Sequence, residues 1–318
     1  MKRVIFAAIA ALATILPAQA QNYPSRNIRF VVPFTAGSAT DTLARVLANR
    51  VQTTLGQTIV IENIAGGSGI PASQNVVRSA PDGYTVMITA NTTHAGNQAF
   101  MKKVPYDAVS DFEPVTKLGT ITLALVVHPS VQANNLQELI AYAKANPGKL
   151  AFGAGSTSSR MSAELLKAMA GIDMLHVPYK SNPQAITDLL GGQVQLFFGD
   201  ISTAMPPARA GKLKALAVSA SKRSPLAGDL PTIDESGLKG YELTAWFAAY
   251  VPAKTPKLVV DKLNAAFREA LTDKQVVDRL LTAGIEPEAS TPAELAAFQA
   301  AETTKWEKIA VDAKIEKE

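Results

Sequence analysis

Short β-branched runs alternate with helix-period segments from residue 28 almost to the end of the chain. No other feature restricts the possible folds as much. Ile28 to Val32 reads as a buried strand stopped by Pro33, and from Thr40 the apolar positions Leu43, Val46, Leu47, Val51 and Leu55 keep helical spacing up to Gly56. Thr58 to Ile61 and Tyr84 to Ile88 read as further strands. A second series follows at Leu123–Val127, Leu150–Phe152, Leu175–Val177, Val194–Phe198 and Leu213–Val218. Asn135 with Glu138 signals a capped helix start, Asn182-Pro183 opens a helix that Gly191-Gly192 ends, and Thr291 with Glu294 caps the last helix. After Pro256 the pattern is helical, with Val260, Leu263, Phe267 and Leu271 on one face and a single late strand near 244–251. The expected fold is α/β, with two lobes built on parallel sheets. Residues 21–122 plus 244–318 form the first lobe and 123–243 the second. Two crossings, near 120–126 and 240–250, would form a hinge and leave a ligand cleft between the lobes.

The N-terminus adds an address. Lys2 and Arg3 precede an apolar run from Val4 to Pro17, and Ala18-Gln19-Ala20 supplies a small-x-small cleavage pattern. Residues 1–20 therefore read as a cleavable signal peptide. The run is short for a membrane span, so an exported chain that is not membrane-inserted is expected. The absence of cysteine rules out thiolate metal sites, iron–sulfur clusters and cysteine catalysis. The formal charge of +4 falls to about +2 without Lys2 and Arg3, and the basic residues are scattered. That balance excludes a nucleic-acid surface, which needs a clustered basic face.

Three loops carry the binding chemistry. Phe34-Thr35-Ala36-Gly37-Ser38, followed by Asp41, lies between the first strand and the first helix, where backbone N–H groups and the helix dipole favour an anion. Ala154-Gly155-Ser156-Thr157-Ser158, with Arg160, is its counterpart in the second lobe. The missing third glycine excludes a dinucleotide fingerprint there. Thr89, Asn91 and Thr92 follow the strand at 84–88, and Asp200 ends the strand at 194–198, so both groups are expected at the cleft. Ala65 to Gly69 reads as a tight turn. His94 is expected near the cleft, whereas His128 and His176 read as structural. No nucleophile elbow, metal-spaced cluster or paired carboxylates accompany them, so no catalytic residue, metal or cofactor is expected.

Several runs resemble the substrate-binding receptors of tripartite tricarboxylate transporters, the TctC or Bug family. They include Tyr23-Pro24-Ser25-Arg26 leading into Val31-Val32-Pro33-Phe34, Ala80-Pro81-Asp82-Gly83-Tyr84-Thr85 and Ala145 to Leu150. Others are His176-Val177-Pro178-Tyr179-Lys180, Asp188 to Val194, Gly211 to Val218 and Leu230-Pro231-Thr232, so the likeness covers essentially the whole chain after residue 20. The resemblance implies a two-lobed periplasmic-binding-protein fold of type II-like design and a monomeric, non-enzymatic periplasmic receptor. Such a receptor hands a small organic carboxylate to inner-membrane transporter subunits. It also implies that one carboxylate is held at residues 34–38 while 154–160, Tyr179 and the turn near Asp200 read the rest of the ligand. Where the family often has His, this chain has Arg160, whose guanidinium can grip a carboxylate bidentately. A dicarboxylate ligand, aliphatic or aromatic, is therefore expected. A periplasmic sensor that presents its liganded form to a membrane signalling protein would need the same cleft. A hydrolase or isomerase would need a nucleophile or base pair that these loops lack.

Overall fold

The computed structural model describes residues 23–179 and 181–317, so the signal-peptide reading lies outside the described residues. Two mixed sheets organise the chain. The first contains β1 (Ile28–Val32), β2 (Ile59–Asn63), β3 (Thr85–Ala90), β4 (Phe112–Ile121), β10 (Ala245–Pro252) and β11 (Glu286–Pro287), in the order β11-β4-β10-β3-β1-β2. The second contains β5 (Leu123–Val127), β6 (Ala151–Ala154), β7 (Leu175–Pro178), β8 (Leu196–Asp200) and β9 (Lys214–Val218), in the order β7-β6-β8-β5-β9. Only Thr122 separates β4 from β5, and the return runs from β9 to β10.

Neither sheet is purely parallel, which departs from the sequence expectation. β1 pairs in parallel with β2 and β3, and β6 with β7 and β8, but β10 is antiparallel to β3 and β4, and β5 to β8 and β9. The reason is topological. β5 and β10 are the strands that have just crossed from the other sheet, so each starts at the crossing and runs away from it. β3, β4, β8 and β9 run toward the crossing. The loops after these carboxyl ends therefore face the interlobe cleft, where open α/β sheets bind ligands.

Both sheets are covered on two faces. In β1, Ile28, Phe30 and Val32 join one core with Leu43, Leu47 and Val51 of α1 (Ala39–Leu55) and Leu263 and Phe267 of α8 (Lys257–Thr272). Val31, pointing the other way, packs with Ala72 and Val76 of α2 (Ile70–Val77) and with Leu295 and Trp306 of α10 (Pro292–Asp312). β5 alternates in the same manner. Leu123, Leu125 and Val127 face the core of α4 (Leu136–Ala145) and α5 (Thr157–Ala170). Ala124 and Val126 face α6 (Asn182–Leu190) and α7 (Ile201–Arg209). A π-helical turn at Thr92–Gly96 leads into α3 (Asn97–Phe100), and α9 (Lys274–Thr282) precedes β11. Among the described residues, no helix is long and apolar enough to cross a membrane.

Candidate functional site

The cleft between the sheets has a front and a rear compartment that share Ser68, Gly155, Ser156 and Thr157. The front compartment, of about 490 Å³, is walled on one side by Phe34, Thr35, Ser38 and Thr92 and on the other by Gly155, Ser156, Thr157, Ser181 and Asn182. The starts of α1, α5 and α6 thus converge on one space from both lobes. Ser38 caps α1 by accepting the Asp41 N–H at 3.2 Å, and Ser156 caps α5 by accepting the Ser159 N–H at 3.2 Å. Among the described residues, no hydrogen bond takes the N–H of Ala39, Thr40, Thr157 or Ser158, the expected state of a first helical turn. Among the described residues, no Asp, Glu, Lys or Arg side chain lines this compartment. Aligned helix dipoles and hydroxyls therefore set its electrostatics, and they favour an anion.

Two clasps shape these loops. Asp41 is 2 % exposed and does not line the front compartment. Its carboxylate accepts from the Gly37 N–H at 2.9 Å, Arg45 Nε at 2.9 Å and Asn63 Nδ2 at 2.9 Å, and Asn63 also donates to the Phe34 carbonyl at 3.0 Å. Burial alone would raise the Asp41 pKa, but the bonds from Arg45, Gly37 and Asn63 hold it below the ordinary value. Gly37 sits at φ 82°, a left-handed conformation that glycine adopts without strain. In the second lobe, Asn182 accepts the Gly155 N–H at 3.2 Å and donates to Ser156 Oγ at 3.3 Å. A Cβ on Gly155 would lie 2.0 Å from the carbonyl carbon of Ser181, so only glycine permits this approach.

The rear compartment, of about 250 Å³, has a different chemistry. Phe100 and Met101 from the first lobe face Met161, Tyr179 and Pro178 from the second, with Arg160, His176 and Asn97 among the polar lining. Asn97 Nδ2 donates to the Ser68 carbonyl at 3.0 Å and to the Tyr106 hydroxyl at 2.9 Å, fixing the turn that divides the two spaces. Tyr179 donates to Asp188 at 2.8 Å. Burial first, then Asp188, pushes its phenol up to about 12.

Of the residues singled out from sequence, Phe34, Thr35, Ser38, Thr92, Gly155, Ser156 and Thr157 line the front compartment, while Ala154, Arg160 and Tyr179 line the rear. The others sit elsewhere. Ala36 and Gly37 form the exposed outer bend of their loop. Thr89 is buried, its hydroxyl 2.6 Å from that of Thr93. Asn91 and Ser158 bond to each other across the lobes, Nδ2 to Oγ, at 3.3 Å. Asp200 neighbours the Asn182 side chain; burial raises its pKa and the hydrogen bond from Asn182 partly opposes the rise.

The histidines exchange places relative to the sequence reading. His94 is fully buried behind the cleft, stacked on Tyr250 at 3.9 Å, whereas His176 lines the rear compartment and stacks on Phe152 at 5.0 Å. The π-helical turn carries the His94 ring into the first-lobe core. β7 is a sheet edge, which leaves His176 half-covered. Ser68, Asn97, Phe100, Met101, Met161 and Asn182 were not singled out from sequence, because each reads locally as a turn, an apolar filler or a helix start.

Comparison with known proteins agrees with this geometry. Residues 43–315 match the model of the tripartite tricarboxylate transporter family receptor. Protein BugT of Bordetella pertussis is 35% identical over 305 residues, covering 95% of this chain and 93% of that one. An R. palustris protein solved with adipate is 35% identical with a TM-score of 0.83, covering 93% of this chain and 100% of that one. The periplasmic binding protein BugD is 33% identical with a TM-score of 0.79, again covering 93% and 100%. The chain belongs to the tripartite tricarboxylate transporter receptor family, whose members are periplasmic solute-binding proteins of two-lobed α/β fold.

Proposed function

We propose that the protein is a periplasmic receptor that captures a dicarboxylate by closing its lobes and delivers it to the membrane subunits of a tripartite tricarboxylate-type transporter. The observation that carries this reading is the front compartment, where three helix starts from two lobes meet, lined with hydroxyls. A carboxylate entering there takes backbone N–H groups from both sides, so binding and closure stabilise one another. Arg160 supports a second carboxylate. It stands in the first turn of α5, directly beyond the shared Ser156 and Thr157, and its five N–H donors can serve a ligand as well as protein neighbours. The relative solved with adipate binds a ligand of this class.

Calorimetric titration of the mature chain and of Arg160→Ala, each with a dicarboxylate and its matched monocarboxylate, tests the reading. The wild type should prefer the dicarboxylate, and the variant should lose at least tenfold for the dicarboxylate while changing little for the monocarboxylate. Equal losses for both ligands would remove Arg160 from the site. Binding of neither ligand by the wild type would overturn the carboxylate assignment.

A further inference from the structure

From the asymmetry of the cleft we infer that the rear compartment is a subsite for an apolar spacer, either a chain of several methylenes or an aromatic ring, between the ligand's two carboxylates. The inference rests on the receptor reading above and adds to it a selection rule. The front compartment offers hydroxyls and helix starts. Behind the Ser68–Ser156 divide, Phe100 and Met101 from one lobe face Met161 and Tyr179 from the other, with Arg160, His176 and Asn97 also in the lining. These side chains line a space of about 250 Å³ from both lobes, enough for a ring or a short alkyl run.

Three of the walls are held in place. Phe100 packs edge-on against buried Trp306 at 6.1 Å, Met161 is fully buried among first-lobe residues that include Trp246 and Trp306, and Tyr179 is tied to Asp188. The compartment is therefore preformed, and filling it removes apolar surface from water at little ordering cost. A short, hydroxylated diacid would leave these walls wet. A longer or aromatic one would cover them and still present its far carboxylate to the Arg160 side of the compartment.

The test is a calorimetric series of straight-chain dicarboxylates from three to eight carbons, together with terephthalate, on the mature chain. Each methylene that enters the compartment should tighten binding about fourfold until the space is full. The heat-capacity change should grow more negative in step. Met101→Trp, which fills the space, should erase that gradient and weaken the longer and aromatic acids most. Phe100→Ala, which strips one wall, should flatten the gradient without reversing it. Circular dichroism establishes that each variant is folded, and either one suffices for the comparison. A flat series in the wild type, or an equal loss for every diacid in the folded variants, would overturn the subsite. Failure of all carboxylates to bind would instead overturn the receptor reading itself.

Discussion

Single residues in this protein divide into those that present groups to the cleft and those that hold the presenters. His94 belongs to neither class, and its effect is on stability. Its imidazole is enclosed by Tyr250 and Phe112, with ring centroids at 3.9 and 4.7 Å, and desolvation drives its pKa from 6.5 down to about 3. Between those values the unfolded chain binds a proton that the folded chain refuses, so stability falls as pH drops below about 6.5. The loss should reach about 4 kcal/mol by pH 3.5. In urea melts across pH 7 to 4, His94→Phe should show a distinctly shallower loss of stability than wild type, and identical slopes would show that His94 does not titrate in this way. Nothing in the residue type signals the effect, because the π-helical turn that turns His94 inward becomes apparent only in three dimensions.

At the scale of elements, the strand-to-helix loops were the legible part of the site. Ser38 and Ser156 come after strands, precede helical spacing and cap α1 and α5, and local chemistry alone requires each of those features. β4 was not legible. Its ten residues contain Pro114, Lys117 and Gly119, and register shifts against β10 break the two-residue period that marks a strand. The partner of the 154–156 loop was equally hidden. Asn182 was readable as a helix opener, but its bonds to Gly155 and Ser156 join segments 26 and 27 residues apart. Gly155→Ala should cost about 2–4 kcal/mol of stability, because its Cβ must displace the Ser181 backbone. It should also weaken carboxylate binding at least tenfold, since the α5 start would shift. Thermal melts and titration on one preparation check both, and an unchanged affinity would show that the loop is not part of the site.

For the whole molecule, the informative contacts are those between lobes. Asn91, at the end of β3, reaches Ser158 in α5, and Met161 of the same helix is buried with Trp246 and Trp306 of the first lobe. α5 is thus the surface of the second lobe that the first lobe grips. Asn91→Ala removes a bond that an opened cleft would not make, so under the proposed closure it should weaken every carboxylate ligand by a similar factor of about five. It should also raise off-rates and leave the order of ligand preference intact. Stopped-flow and calorimetry distinguish this from direct ligand contact, which would reorder the preferences.

The α/β class, the two series of strands and helices, and the two loops whose helix starts suit an anion are all legible along the chain. These follow from periodicity and capping, which act over a few residues. The folded chain alone shows that Asp41 clasps its own loop through Asn63 and that Asn91 spans the lobes. It also places His176 rather than His94 at the cleft and sets Phe100, Met101 and Met161 around a second compartment behind the hydroxyl-lined one. Each of these depends on segments tens of residues apart meeting across a sheet edge or a hinge, and no local pattern encodes such a meeting.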